Sequence, residues 1–251
     1  MKVVVLGASG EIGKAVAGRL RDRDIEVVAA QRSTGVDAYA GTGLAEAFAG
    51  ADVVVDCMNV TTTSAKKAIG FFGTVAANVA AAAITAGVGR VVCLSIINAA
   101  DPAVNAKFGY YQGKAAQEKA YLDALGADRL TIVRSAQWYE LARQMLGTMR
   151  LGPFAAVPHM RCQPLSAADA AAALTDTVIH RPEGDVEVAG PEVLDLTDIG
   201  KAIAQRNGSP RWVLGVRIGG EPIRNGALVP DTPSVVAPTT LDQWLAQEYA
   251  A

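Results

Sequence analysis

Histidine occurs only twice in the 251 residues and cysteine three times, and each scarcity closes a route. Cys57, Cys93 and Cys162 are odd in number, widely spaced and without paired histidines, which argues against both a disulfide framework and a zinc site. No metal is expected, and the expected compartment is the reducing cytoplasm. A surplus of one charge is also missing: 23 basic residues stand against 25 acidic ones, with no clustering of lysine and arginine. That pattern lacks the footprint of a nucleic-acid binder and fits a small-molecule partner, the chain acting as monomer or homodimer. Long apolar runs are absent too. Met1-Lys2 followed by Val3 to Leu6 is too short for a signal peptide and runs straight into a glycine turn. Val75 to Ala86, mostly alanine and interrupted by Asn78, falls short of the roughly 20 residues that span a bilayer. It reads as a buried helix, and no membrane partner is expected.

What is present is alternation. Short β-branched runs at Val3 to Leu6, Glu26 to Ala30, Asp52 to Asp56, Arg90 to Leu94 and Leu130 to Val133 read as strands, with alanine-rich helical segments between them. The strands are almost continuously apolar, as in a parallel sheet covered on both faces, so the expected fold is α/β, a Rossmann-type doubly wound parallel sheet. Between Arg32 and Ala51 there is room for only a stub of a third strand, near Val36 to Tyr39, and a helix at Leu44 to Ala49. Beyond Leu151 the rhythm changes: prolines become frequent, with short strands at Val186 to Ala189 and Trp212 to Val216. Helices are expected at Ser166 to Ile179, Leu196 to Gln205 and Thr240 to Tyr249. The reading is a nucleotide-binding core over residues 1–150 and a smaller C-terminal substrate lobe over 151–251.

Gly7-Ala8-Ser9-Gly10-Glu11-Ile12-Gly13 follows the first strand and opens the first helix, which is the context a phosphate-binding loop requires. Gly7 permits the tight turn, Gly10 lets the backbone approach a pyrophosphate, and Gly13 lets the helix pack closely. The helix N-terminal amides meet the negative charge, and Ser9 can add a hydroxyl. About twenty residues later, where an acidic residue normally takes the ribose of NAD, this chain has Gln31-Arg32-Ser33. A carboxylate would repel a 2′-phosphate, whereas Arg32 can pair with it and Ser33 can donate to it. The expected cofactor is NADP(H) in preference to NAD(H).

Tyr110-Tyr111-Gln112-Gly113-Lys114 contains Tyr-x-x-x-Lys. On a helix beginning near Lys107, Tyr110 and Lys114 share one face. An ammonium beside a phenol favours the phenolate, which suits a general acid or base at a hydride-transfer site. With the glycine loop and Thr131-Ile132-Val133-Arg134-Ser135-Ala136-Gln137, this stretch resembles the short-chain dehydrogenase/reductase superfamily, and within it the atypical NmrA-like branch, over most of the chain. The resemblance implies an NADP(H)-dependent oxidoreductase acting on a small molecule. It places Ser95 and Tyr110 among the catalytic residues, gives Lys114 both a catalytic part and the nicotinamide ribose, and sets Asn59 near the cofactor. Two alternatives stand beside it: a non-catalytic NADP(H)-sensing regulator, and an epimerase or dehydratase that retains its cofactor. Cys57 and Cys93 read as packing residues. Trp138 and Tyr139 suit either a pocket wall or the core.

Overall fold

The computed structural model describes residues 1–250 and divides the chain into two compact units, Met1–Arg134 with Ala171–Val186, and Ser135–Ala170 with the chain from Glu187 onward. Residues 135–150, assigned to the core by sequence, therefore cluster with the second unit, and residues 171–186 with the first.

In chain order the elements are β1 (Lys2–Leu6), α1 (Glu11–Arg21), β2 (Glu26–Ala30), α2 (Leu44–Phe48), β3 (Val53–Asp56), α3 (Ala65–Thr85), β4 (Arg90–Ile96), α4 (Pro102–Asn105), α5 (Gly109–Leu125) and β5 (Leu130–Ser135). There follow α6 (Tyr139–Thr148), β6 (Arg150–Leu151), β7 (Phe154–Pro158), β8 (Arg161–Cys162), α7 (Ala167–His180), β9 (Val186–Ala189), β10 (Leu194–Asp195), α8 (Leu196–Asn207), β11 (Trp212–Val216), α9 (Glu221–Arg224), β12 (Val235–Val236) and α10 (Leu241–Glu248).

The first unit carries its strands in the order β5-β4-β3-β1-β2. β2, β1, β3 and β4 run parallel, with Val4 of β1 between Val28 and Val54. The reversal of order at β1 is that of a doubly wound, Rossmann-type sheet, which puts ligand-binding loops at the C-terminal strand ends. The apolar runs that signalled buried strands are buried: Val3, Val4, Val5, Val54, Val55 and Val92 have no exposed surface.

The expected third-strand stub is corrected. Val36 to Tyr39 forms no strand; Asp37 and Thr42 make only an isolated antiparallel bridge. The Asp37 carboxylate accepts from the amides of Tyr39 and Ala40, closing a local turn that competes with an extended backbone. Val36 and Ala38 are still buried in the core.

α3 begins at Ala65, ten residues earlier than expected, where Ser64 caps it by accepting from the Lys67 amide. By length and composition alone it is long and apolar enough to cross a membrane. Its stripe of Ala68, Phe72, Val75, Ala76, Val79, Ala80 and Ala83 is instead buried. Two glycines bring α5 against it. A Cβ on Gly109 would lie 2.5 Å from the Ala65 nitrogen, and one on Gly113 would lie 2.8 Å from both Ala68 Cβ and Phe72 Cδ2.

The segment from Ala171 to Val186 is held to the first unit by polar contacts. Buried Arg90 donates to the carbonyls of Thr177 and Val178 near the C-terminal end of α7, a favourable place for a cation. Asp185 accepts from the Ile132 amide.

In the second unit β6 and β7 pair antiparallel, β7 and β11 parallel, β8 and β10 antiparallel, and β9 and β12 parallel. Tyr139 belongs to the core rather than to a pocket wall: it has no exposed surface, donates to the Thr239 carbonyl, and packs at 5.4 Å from the Trp244 ring.

Candidate active site

The glycine turn after β1 has the steric signature expected of it. Gly7 has φ +72°, and a Cβ there would lie 2.9 Å from the Cys57 carbonyl oxygen. A Cβ on Gly13 would lie 2.3 Å from the Gly7 carbonyl oxygen, so α1 can sit this close to the turn only with glycine at that position. Gly10 is the N-cap of α1, with no side chain capping the helix. Ser9, Gly10 and Glu11 are exposed, whereas Ile12 and Gly13 are buried beneath them. An exposed helix N-terminus with glycine at the cap and small residues in the turn before it is a cradle for a phosphate. The pyrophosphate of a dinucleotide fits it on steric and electrostatic grounds.

β2 ends beside this turn, in a short 3-10 turn over Arg32–Thr34. Thr34 and Gln31 form a reciprocal cap, and Gln31 Nε2 donates to Ser33 Oγ at 2.7 Å, which fixes the backbone there. Arg32 and Ser33 are exposed, and no acidic side chain lies in the first turn. Asp37, the nearest downstream carboxylate, is occupied with its own turn. Asn59, past the end of β3, is exposed, and its Oδ1 accepts from the Val60 amide.

The face that α5 turns to the sheet is polar. Lys114, Gln117, Glu118 and Tyr121 recur at helical spacing and are all buried. Lys114, 3% exposed, donates to the Leu94 carbonyl and to Gln117 Oε1, each at 3.0 Å, with the Phe72 ring centroid 4.3 Å away. Gln117 Nε2 passes the connection on to Asp56, donating to Oδ2 at 2.8 Å, and Tyr121 donates to the same oxygen at 2.7 Å. The remaining Asp56 oxygen accepts from the Met58 amide. A buried cation and a buried anion are thus bridged through one amide, which satisfies both without direct contact. Burial, then the Asp56 charge, pushes the Tyr121 phenol well above its usual value, so it stays a donor.

Tyr110, half-buried at the start of α5, meets the Phe72 ring edge-on at 5.7 Å. Tyr110 and Lys114, four residues apart on α5, therefore share Phe72 as a neighbour. Ser95 goes elsewhere. Its hydroxyl donates to the Glu118 carboxylate, which also receives Arg134 Nε and Nη2, while Arg134 Nη1 reaches Asp185 at 3.0 Å. Burial acts to lower the Arg134 guanidinium, but Glu118 and then Asp185 hold it above its ordinary value. Ser95 is thereby committed to this ion cluster. Glu118, Arg134 and Asp185 also line a cavity of about 450 Å³, together with the charged Lys119 and Asp123 and with apolar side chains such as Leu122, Leu130 and Ile132.

The structure thus brings Gly7, Ser9, Gly10, Glu11, Ile12 and Gly13 into one cradle and puts Tyr110 and Lys114 together around Phe72. It turns Ser95 into the ion cluster. Sequence reasoning missed Phe72, Asp56, Gln117 and the Glu118–Arg134 pair. The i, i+3, i+4, i+7 run of polar residues on α5 was the signal that could have found Gln117 and Glu118; nothing local marks Phe72, Asp56 or Arg134. Cys57 and Cys93 behave as packing residues: desolvation, then the neighbouring Asp56 charge, raises both thiols and keeps them protonated. Among the described residues no group of histidine, cysteine and carboxylate side chains is placed to hold a metal.

A family described as NAD(P)H-binding matches residues 7–176. No curated protein matches the sequence. Among solved structures, the chain is similar to a dTDP-4-dehydrorhamnose reductase from Bacillus anthracis in complex with NADP, with 14% identity, TM-score 0.75, and 99% and 98% of the two chains covered. A dTDP-4-dehydrorhamnose reductase from Yersinia enterocolitica gives 15% identity and TM-score 0.71, with 99% and 98% covered. A nucleoside-diphosphate-sugar epimerase from Staphylococcus aureus gives 17% identity and TM-score 0.71, with 98% and 99% covered. At such identities the likeness is one of fold, and it upholds the expected Rossmann-type class. The narrower NmrA-like assignment rests on motif alone.

Proposed function

The chain belongs to the NAD(P)H-binding family, and from that premise we propose that it is an NADP(H)-dependent oxidoreductase acting on a small carbonyl compound or the corresponding alcohol. The observation that carries this reading is the pairing of Tyr110 and Lys114 around Phe72, with Lys114 fastened to the Leu94 carbonyl at the C-terminal end of β4. The glycine cradle opens at the same edge of the sheet, after β1.

Gly7 to Gly13 hold the pyrophosphate, and Arg32 with Ser33 takes a 2′-phosphate. Asn59 flanks the cofactor near the end of β3. When bound, the nicotinamide supplies or accepts the hydride. The chain's own part is the proton: the Tyr110 hydroxyl gives it to the carbonyl oxygen, and the nearby Lys114 ammonium stabilises the phenolate left behind. Ser95, whose hydroxyl is given to Glu118, takes no part in the proton step. The unpaired thiols Cys57, Cys93 and Cys162 suit a reducing, cytoplasmic setting.

The nucleotide-sugar reductases and epimerase of the same fold make keto-sugar nucleotides the first compounds to test. NADPH absorbance is followed against these and a panel of simple ketones and aldehydes, with wild type and Tyr110→Phe. The expected result is turnover that falls at least 100-fold in Tyr110→Phe with little change in KM. Tight cofactor binding without consumption of NADPH or change of substrate would instead establish the sensor. Interconversion of substrates without net NADPH consumption would establish the epimerase or dehydratase.

A further inference from the structure

The three-stranded sheet of β6, β7 and β11 presents one face to solvent, and that face is apolar. Register puts Leu151 opposite Phe154, Phe154 opposite Trp212, and Ala156 opposite Leu214, so these side chains share a side. Leu151 is 83% exposed, Leu214 53%, and Phe154 and Trp212 43% each. Ala155 and Val157, which point the other way from β7, are buried. Phe154 and Trp212 stack at 4.8 Å and leave their outer surfaces to water. Leu151 and Phe154 flank the two-residue tip of the β6–β7 hairpin, Gly152-Pro153, so the apolar groups project from a turn instead of lining a hollow.

The surroundings are basic. No acidic residue occurs between Glu140 and Asp169, or between Asp198 and Glu221, and these two runs contain the whole sheet. They carry seven cations, Arg143, Arg150, Arg161, Lys201, Arg206, Arg211 and Arg217, of which Arg143 is paired with Glu248 and Lys201 with Asp198. Of these, Arg211 and Arg217 are exposed at the two ends of β11, and the Arg211 guanidinium lies 4.6 Å from the Trp212 ring, whereas Arg150, opposite Ala155 in the register, is turned to the other side and donates to the Gly152 carbonyl and Ser209. The concentration stands out in a chain whose net charge is −2.

We infer that this face is a docking surface for an anionic lipid bilayer. Projecting leucine and phenylalanine at a hairpin tip need no shaped pocket when the partner is fluid. Tryptophan favours the bilayer–water interface, and surrounding arginines are drawn to anionic headgroups. A second copy of the chain is disfavoured, because apposing two such faces would set arginine against arginine. The inference is independent of the proposed oxidoreductase activity and departs from the expectation that the chain has no membrane partner.

The test is sedimentation of the full chain with vesicles of 70:30 phosphatidylcholine:phosphatidylglycerol and with vesicles of phosphatidylcholine alone, at low salt and at 0.5 M salt. Tryptophan emission is recorded in parallel, with Trp212→Phe to assign the signal. The expected result is partitioning to anionic vesicles that is at least tenfold stronger than to neutral ones and that weakens in salt. A blue shift should accompany it in wild type and be lost in Trp212→Phe. Leu151→Asp and the charge reversal Arg211→Glu should each reduce partitioning about tenfold. Both change exposed positions, so the thermal transition should hold. The inference is overturned by equal or absent partitioning to the two vesicle types, or by full partitioning of both variants. It is likewise overturned if wild type sediments as a dimer that Leu151→Asp converts to monomer, which would assign the face to a second copy.

Discussion

Replacing Gly13 by alanine isolates the contact on which the dinucleotide cradle depends. The added Cβ would lie 2.3 Å from the Gly7 carbonyl oxygen and 2.7 Å from the Gly7 carbonyl carbon, whereas real Cβ contacts below 3.0 Å essentially never occur. The gap must therefore open by at least about 0.7 Å, and because the obstructing atoms are backbone, no side-chain rotation can supply it. Overpacking of this kind costs about 1–3 kcal/mol, to which alanine's better helix propensity returns only about 1 kcal/mol. Pushing α1 off the turn also moves its N-terminal amides from the phosphate position. NADPH affinity should fall at least tenfold, equivalent to about 1.4 kcal/mol. The control lies in the same helix: a Cβ on Gly18 meets nothing within 4 Å. Gly18→Ala should leave affinity unchanged and stabilise the protein by about 0.5–1 kcal/mol. Chemical denaturation and calorimetric titration of both variants decide the matter. If Gly13→Ala matched Gly18→Ala in stability and affinity, the close packing of α1 on the turn would not be what shapes the site.

Two further outcomes follow from the buried polar groups. Glu118→Gln removes the charge that pairs with Arg134 while keeping an oxygen that can accept from Ser95, and it leaves Asp185 as the only carboxylate on a partly buried guanidinium; it should cost about 3 kcal/mol in denaturant unfolding, and a loss below about 0.5 kcal/mol would contradict the pairing. Burial, with Asp195 adding to it, pushes the Cys162 thiol up to about 12 from an ordinary 9.0. The folded state thus holds its proton more tightly than the unfolded chain. The stabilisation is whole below pH 9 and is lost as pH rises toward 12, at about 1.4 kcal/mol per pH unit for such a group. The urea midpoint should decline over that range, and less steeply in Cys162→Ala. An identical slope in both proteins would refute the assignment.

Much of this fold was legible because its signals are local. Continuous β-branched runs marked β1 to β5, and three spaced glycines marked the turn that only glycine can make. The stub at Val36 to Tyr39 misled because Asp37 spends its carboxylate on its own turn, a competition that apolar pattern does not register. α3 was undersized because Lys66, Lys67, Gly70, Gly73 and Thr74 interrupt the apolar run near its start, and its cap at Ser64 was overlooked. The polar face of α5 was hidden for another reason: Asp56, Leu94, Ser95 and Arg134 come from three separate strands, and only the sheet brings them under one helix. The basic, apolar face of the second unit escaped in the same way. Its arginines are scattered along the chain and gather only when β11 pairs with β7.

The central claim, that this cradle and the turn after β2 bind NADP(H) in preference to NAD(H), is tested most directly by titrating wild type and Arg32→Ala with NADPH and NADH in a calorimeter. The account predicts at least tenfold tighter binding of NADPH by wild type, with Arg32→Ala losing that margin and keeping its affinity for NADH. Equal affinity of wild type for the two cofactors, or a preference that survives in Arg32→Ala, would contradict it.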